Sequence, residues 1–182
     1  AVKEAEILAF FSKNYVALQA INGYLNKTHE EGNPVDLTAK ETAALESRLN
    51  SLAVRLADGE SFEDVSNRFA LEQGSSTDNT GIVVIKKDNT AYPAGFCETV
   101  AKLKAGKPKV ILLDKYIFLV VKADTSDSNS DSYQFNRTDC LKALKGDEMD
   151  AEIASIAAGY SAEKNDKIIN NIYDIIVTAN KS

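Results

Sequence analysis

Along this chain the spacing of apolar residues changes repeatedly, and each change marks an element. In residues 2–13, Ile7, Phe10 and Phe11 recur at helical spacing, with Glu4 and Glu6 at the end where a helix favours negative charge. In residues 15–25 the period drops to two. Val16, Leu18, Ala20 and Asn22 point one way, and Tyr15, Ala17, Gln19 and Ile21 the other, which predicts a strand. Residues 26–36 are polar, with Gly32 and Pro34, and read as an exposed loop. Thr38 with Glu41 three positions on forms a capping box. It opens a helix with Leu45, Leu49, Leu52 and Leu56 on one face, stopped at Asp58-Gly59. Ser61 caps a second short helix whose inner face is Phe62, Val65 and Phe69.

After a Gly/Ser/Asn/Asp loop over residues 73–80, Ile82, Val83, Val84 and Ile85 predict a short buried strand at 81–86. A loop with Pro93 leads to a helix at 95–104, with Phe96, Val100 and Leu103 inward and Gly106 as its end. Residues 109–113 and 116–122 are β-branched and aromatic, and Asp114-Lys115 between them predicts a tight hairpin. Residues 125–132 (TSDSNSDS) read as a polar linker. Helices follow at 137–144 and at 148–160, where Ile153, Ile156 and Tyr160 share a face. A last segment, 165–178, carries five isoleucines on more than one face. It must pack against something: the N-terminal helix or, in a homodimer, another chain.

Composition narrows the classes. At 182 residues the chain is long enough for one sizeable core with a helical appendage. The net charge is −6 and no basic block exists, which argues against nucleic acid as a partner. No apolar run approaches the ~18–20 residues of a membrane helix. Cys97 and Cys140 match no metal spacing and read as two buried free thiols, a single disulfide between them being the alternative. Asp124, Asp127 and Asp131 crowd the linker without the spacing of an EF-hand, so a solvated acidic segment is expected there. No P-loop or GxSxG occurs, and His29 is the only histidine, so no Ser-His-Asp arrangement can be built. Neither a cofactor nor a metal is expected.

Several phrases, taken in order, resemble the parvulin-type foldase lipoproteins of Gram-positive bacteria. LADGESFEDVSNRF is similar to the family's "x-G-x-x-F-x-x-[LV]-A-x-x-[YF]" stretch, and GFCETVAKLKAGK to its "E-F-E-x-A-x-x-L-x-x-G-E" stretch. YIFLVVKAD resembles its final "Y-G-Y-H-I-I-K" strand, and EILAFFSKNYVALQAING the helix and first strand that end in "H-I-L". LKGDEMDAEIASIAAGY is similar to the helical tail these foldases carry. The resemblance implies an α+β fold: a four-stranded antiparallel sheet wrapped by helices, with N- and C-terminal helical extensions. The corresponding division is a parvulin-like domain at 15–124, a linker at 125–132, and flanking helical regions at 1–14 and 133–182. It also implies an extracytoplasmic address, with lipid anchoring to the membrane upstream of this chain.

Prolyl isomerisation needs no nucleophile. Its barrier of ~18–20 kcal/mol comes from amide resonance, and an enzyme lowers it by binding the twisted amide better than the planar one. Parvulins resemble one another in placing two histidines, an Asp or Cys, and a Met/Phe proline pocket around that amide. Carried over by position, the first histidine falls at Ala20, or one residue either side, and the second at Leu119 when residues 116–122 are aligned on their lysine. The acidic position falls near Glu72, the pocket aromatic at Phe96 and the preceding Met near Tyr92. Both histidines are thus replaced by residues without proton chemistry. His29 lies in a polar loop and reads as solvated.

The resulting expectation is a degenerate parvulin that binds unfolded or extended, proline-containing polypeptide, with isomerase activity lost or weak. The alternatives are a working isomerase, whose apolar groove alone favours the twisted amide, and a structural or assembly module using the isoleucine-rich terminal segment.

Overall fold

The computed structural model describes residues 2–28, 34–73 and 80–160. The chain divides into two compact units, Ala1–Leu144 and Lys145–Ser182. The first is organised around strand β1, Tyr15–Tyr24, which follows directly on helix α1, Glu4–Asn14. Three further strands, β4 (Val83–Lys86), β5 (Pro108–Leu113) and β6 (Tyr116–Lys122), complete an antiparallel sheet in the order β4-β1-β6-β5. Between β1 and β4 lie a small hairpin, β2 (Asn26–Thr28) with β3 (Pro34–Asp36), and two helices, α2 (Ala39–Ala57) and α3 (Phe62–Glu72). Helix α4 (Phe96–Lys102) connects β4 to β5, and α5 (Asp131–Ala158) follows β6.

Because β1 is central, its period-two alternation sorts residues onto two faces. On the front face Val16, Leu18 and Ala20 join Ile85, Ile111, Phe118 and Val120, and α4 covers them with Phe96, Cys97 and Val100. On the back, Ile21, Ile117 and Leu119 pack against Leu49 and Leu52 of α2 and Phe62, Val65 and Phe69 of α3. A third cluster joins Ile7 and Phe11 of α1 to Tyr133 and Cys140 of α5, over the half-buried Tyr15 and Val84.

Local chemistry sets the ends of the helices. At α2 the predicted capping box is present: Glu41 N donates to Thr38 Oγ1 at 3.3 Å, and Thr38 N donates to Glu41 Oε2 at 2.8 Å. Ser61 caps α3, accepting from Asp64 N at 3.0 Å. Lys122 holds the far end of α4, donating from Nζ to Ala101 O at 2.6 Å and Leu103 O at 3.1 Å. In the β5–β6 hairpin Leu113 pairs with Tyr116, and Asp114 takes φ 52°, a left-handed conformation that Asp tolerates in two-residue turns.

Three expectations need correction. The stretch read as a loop at 26–36 contains the antiparallel pair β2–β3, whose Pro34 is the first residue of its strand, a place where proline is tolerated. The strand at 81–86 begins only at Val83 and is half-buried rather than buried, because β4 lies at the sheet edge. The two helices expected at 137–144 and 148–160 are the single helix α5, which begins at Asp131, within the last two residues of the stretch read as a linker. Ser130 caps its start, accepting from Tyr133 N at 3.3 Å, and the helix runs through Gly146, a residue costing only about 1 kcal/mol inside a helix. Cys97 and Cys140 are both buried and free.

In the second unit the described residues carry α5 to its end, and Met149, Ile153, Ile156 and Tyr160 are exposed. His29 and the isoleucine-rich segment at 165–178 lie outside the described residues.

Candidate functional site

The front face of the sheet carries a continuous run of aromatic rings. Tyr92, from the loop before α4, stacks on Phe96 with centroids 4.8 Å apart and planes 11° from parallel. Phe96 meets Phe118 of β6 at 4.6 Å, Phe118 meets Tyr116 at 5.8 Å, and Tyr116 meets Tyr24 of β1 at 5.5 Å. The register produces this line. Ala20 pairs with Val120, Asn22 with Phe118 and Tyr24 with Tyr116, so alternate residues of both strands share one face. The run passes from interior to solvent: Phe96 is fully buried, Tyr92 and Tyr116 are half-buried, and Tyr24 is 60% exposed.

The residues singled out in the sequence divide between the two sides. Ala20, Tyr92 and Phe96 come together in the front cluster. Leu119 does not join them. It pairs with Ile21, faces α2 and α3, and is 0% exposed, so nothing outside the fold touches it. The β6 residue on the Ala20 side next to Phe96 is Phe118. A one-residue shift of register moves a side chain to the other face, and that is the whole difference between Leu119 and Phe118. Glu72 lies at the end of α3, exposed and paired with Arg48 of α2, whose Nε donates to Glu72 Oε2 at 2.9 Å. Arg48 holds its carboxyl below the usual carboxylate range.

Arg48 also lines a cleft of about 570 Å³ with Asn22, Tyr24, Leu45, Phe69 and Gln73, at the end of β1. Tyr24 therefore belongs both to the aromatic run and to this cleft. Gly23, beside it, is buried between Ile117 and Leu45, where an added Cβ would lie 2.8 Å from Ile117 Cγ2.

Among the described residues proton chemistry is sparse on the front face. Burial pushes the Tyr92 phenol and the Cys97 thiol up, so both keep their protons at neutral pH. Ala20, Phe96 and Phe118 have no proton to exchange. Lys122 is engaged with the carbonyls of Ala101 and Leu103 at the end of α4. Among the described residues no group of three His, Cys, Asp or Glu side chains could hold a metal ion. Such a surface can bind apolar and aromatic groups by burial and stacking.

Tyr24, Tyr116 and Phe118 were missed in the sequence. The signal was present as period-two spacing on β1 and β6, but pairing register alone decides which residues of the two strands meet.

The class of fold follows from the element order and the sheet. One strand, two helices, an edge strand, a short helix and a final hairpin, arranged as β4-β1-β6-β5, make a parvulin-like α+β fold with helical extensions at both ends. No protein-family model and no curated protein matches the chain. Among solved structures it is similar to the crystal structure of PrsA from Bacillus subtilis, at 15% identity and a TM-score of 0.43, over 96% of this chain and 61% of that one. It is also similar to the foldase protein PrsA from Streptococcus pneumoniae str. Canada MDR_19A, at 13% identity and a TM-score of 0.35, over 90% of this chain and 58% of that one. The chain thus spans about three fifths of the length of these structures.

Proposed function

We propose that this chain is an extracytoplasmic, foldase- or chaperone-like protein that holds extended, apolar or proline-containing segments of secreted polypeptides without isomerising them. The observation that carries the reading is the aromatic run from Tyr92 to Tyr24, open to solvent at the Tyr24 end and closed at the Phe96 end. Stacked Tyr92 and tilted Phe118 fill the space over the Phe96 ring, leaving it no exposed face to receive a prolyl ring. Among the described residues the side chains packed around that ring are apolar or aromatic, with the Cys97 thiol, which supports a groove without the tuned polar groups that would favour a twisted amide. The open end offers Tyr24, Tyr116 and the adjoining cleft, a surface suited to apolar side chains of many sequences. Glu72 contributes by fixing Arg48 at the rim of that cleft. In this reading lipid anchoring upstream of the chain keeps the protein at the membrane surface.

The test is cis/trans exchange of a panel of short X-Pro peptides, followed by NMR at high protein concentration. Shifts of the Asn22, Tyr24 and Tyr116 amides without accelerated exchange are expected. Tyr24→Ala, at an exposed position, should weaken binding about fivefold or more, the scale of an aromatic contact at an interface. Exchange above the uncatalysed rate would overturn the loss of turnover. Peptide shifts elsewhere, or binding indifferent to Tyr24→Ala, would overturn the site.

A further inference from the structure

A cleft of about 830 Å³ lies away from the aromatic run, between the start of β4 and the first turns of α5. Ile82 and Val84 form one wall. Both line the cleft, Ile82 from just before the strand, and Ile82 is 53% exposed. Phe135 forms the other wall and is 89% exposed, although it sits on a well-anchored part of α5: Tyr133 before it and Cys140 after it are both fully buried. An aromatic ring held in solvent by a fixed backbone marks an interaction surface more than a fraying end does.

Asp124, Asp127 and Asp131 line the same cleft, and among the described residues no Lys or Arg does. Two of these carboxylates are set in place by local turns. Asp124 Oδ1 accepts from Ser126 N at 2.8 Å, and Asp127 Oδ1 accepts from Asn129 N at 2.8 Å. Among the described residues the adjacent β4 pairs with β1 alone, which leaves an edge at which an extended chain can add.

We propose that this cleft docks an extended polypeptide segment of another protein carrying alternating apolar and basic residues. The segment lies along the β4 edge, its apolar side chains against Ile82, Val84 and Phe135 and its cations toward the three aspartates. The apolar walls select an extended, partly hydrophobic chain, and the charge of the rim rejects acidic ones. The surface is separate from the aromatic run and stands whether or not that run binds peptide.

The experiment uses the whole chain and two synthetic peptides, one alternating valine with lysine and one alternating valine with glutamate, with binding read by fluorescence anisotropy and amide shifts. The lysine peptide should bind, more weakly at high salt because exposed charge pairs are screened, while the glutamate peptide should not. Phe135→Ala should lower its affinity about tenfold with an unchanged unfolding midpoint, and Asp131→Asn should lower both the affinity and its salt dependence. Tyr24→Ala should leave it unaltered, which separates this surface from the front face. Equal binding of both peptides, indifference to Phe135→Ala, or shifts of the Asp124 and Asp127 amides by calcium but not by the lysine peptide would overturn the proposal.

Discussion

Tyr92 lies flat on Phe96, centroids 4.8 Å apart, so a loop side chain occupies the space over a fully buried ring. Tyr92→Ala removes the stack and uncovers Phe96. Offset aromatic pairs contribute about 0.5–1.5 kcal/mol beyond the area they bury, so a loss of about 1–3 kcal/mol in urea unfolding is expected. Phe96→Ala should cost more, about 3–5 kcal/mol, as a core truncation. Equal midpoints for wild type and Tyr92→Ala would show that the stack does not hold the loop. Since Phe96 is core, its truncation is a poor probe of binding, and Tyr24 is the better one.

Gly23 has no room for a methyl group. A Cβ would lie 2.8 Å from Ile117 Cγ2 and 3.3 Å from Leu45 Cδ2, and Ile117 is a fully buried, β-branched neighbour with little freedom to yield. Gly23→Ala should destabilise the first unit by about 1–3 kcal/mol through overpacking. Thermal unfolding reads this directly, and a variant as stable as wild type would mean that β1 and β6 separate at no cost.

Glu4, Tyr133 and Arg137 tie α1 to the start of α5. Tyr133 Oη donates to Glu4 Oε1 at 2.6 Å, and Arg137 Nη2 donates to Glu4 Oε2 at 2.6 Å. The hydrogen bond from Arg137, then that from Tyr133, lowers the Glu4 carboxyl to about 2. An unfolded glutamate titrates near ~4.3. The folded value is depressed, so the contribution is present above the unfolded value and is lost as pH falls toward 2. Burial, with Glu4 second, pushes the Tyr133 phenol up to about 12, so its contribution is present below about pH 10 and fades as pH rises toward 12. Urea midpoints across pH should therefore fall at both extremes, and Glu4→Gln should flatten the acid limb. The effect will be small because the Glu4–Arg137 pair is exposed to solvent. An acid limb unchanged in Glu4→Gln would remove this account.

Much of the candidate site was legible from local chemistry. The caps at Thr38 and Ser61, the alternation of β1, the Asp114-Lys115 turn and the inward faces of α2, α3 and α4 depend on neighbours a few residues away, and each was written in the sequence. Ala20 and Phe96 were singled out because each belongs to a recognisable phrase, and Tyr92 by its place shortly before one. The β2–β3 hairpin was not legible, since its strands are three residues long and polar and carry no apolar alternation. The early start of α5 was hidden by a serine- and aspartate-rich run whose Ser130 acts as a helix cap, and its continuity by Gly146.

By itself the sequence determined most of the kinds of element, their order and the absence of histidine from β1 and β6, because helix and strand periods and residue identities are properties of a single segment. Which side chains meet was decided only by the tertiary structure. Pairing β1 with β6 sends Phe118 to the front and Leu119 to the back, and it lines up Tyr24, Tyr116, Phe118, Phe96 and Tyr92 across elements far apart in the chain. The physical reason is that a strand's two faces are equivalent in its own backbone, and only the partner's register and the helices that cover the sheet distinguish them.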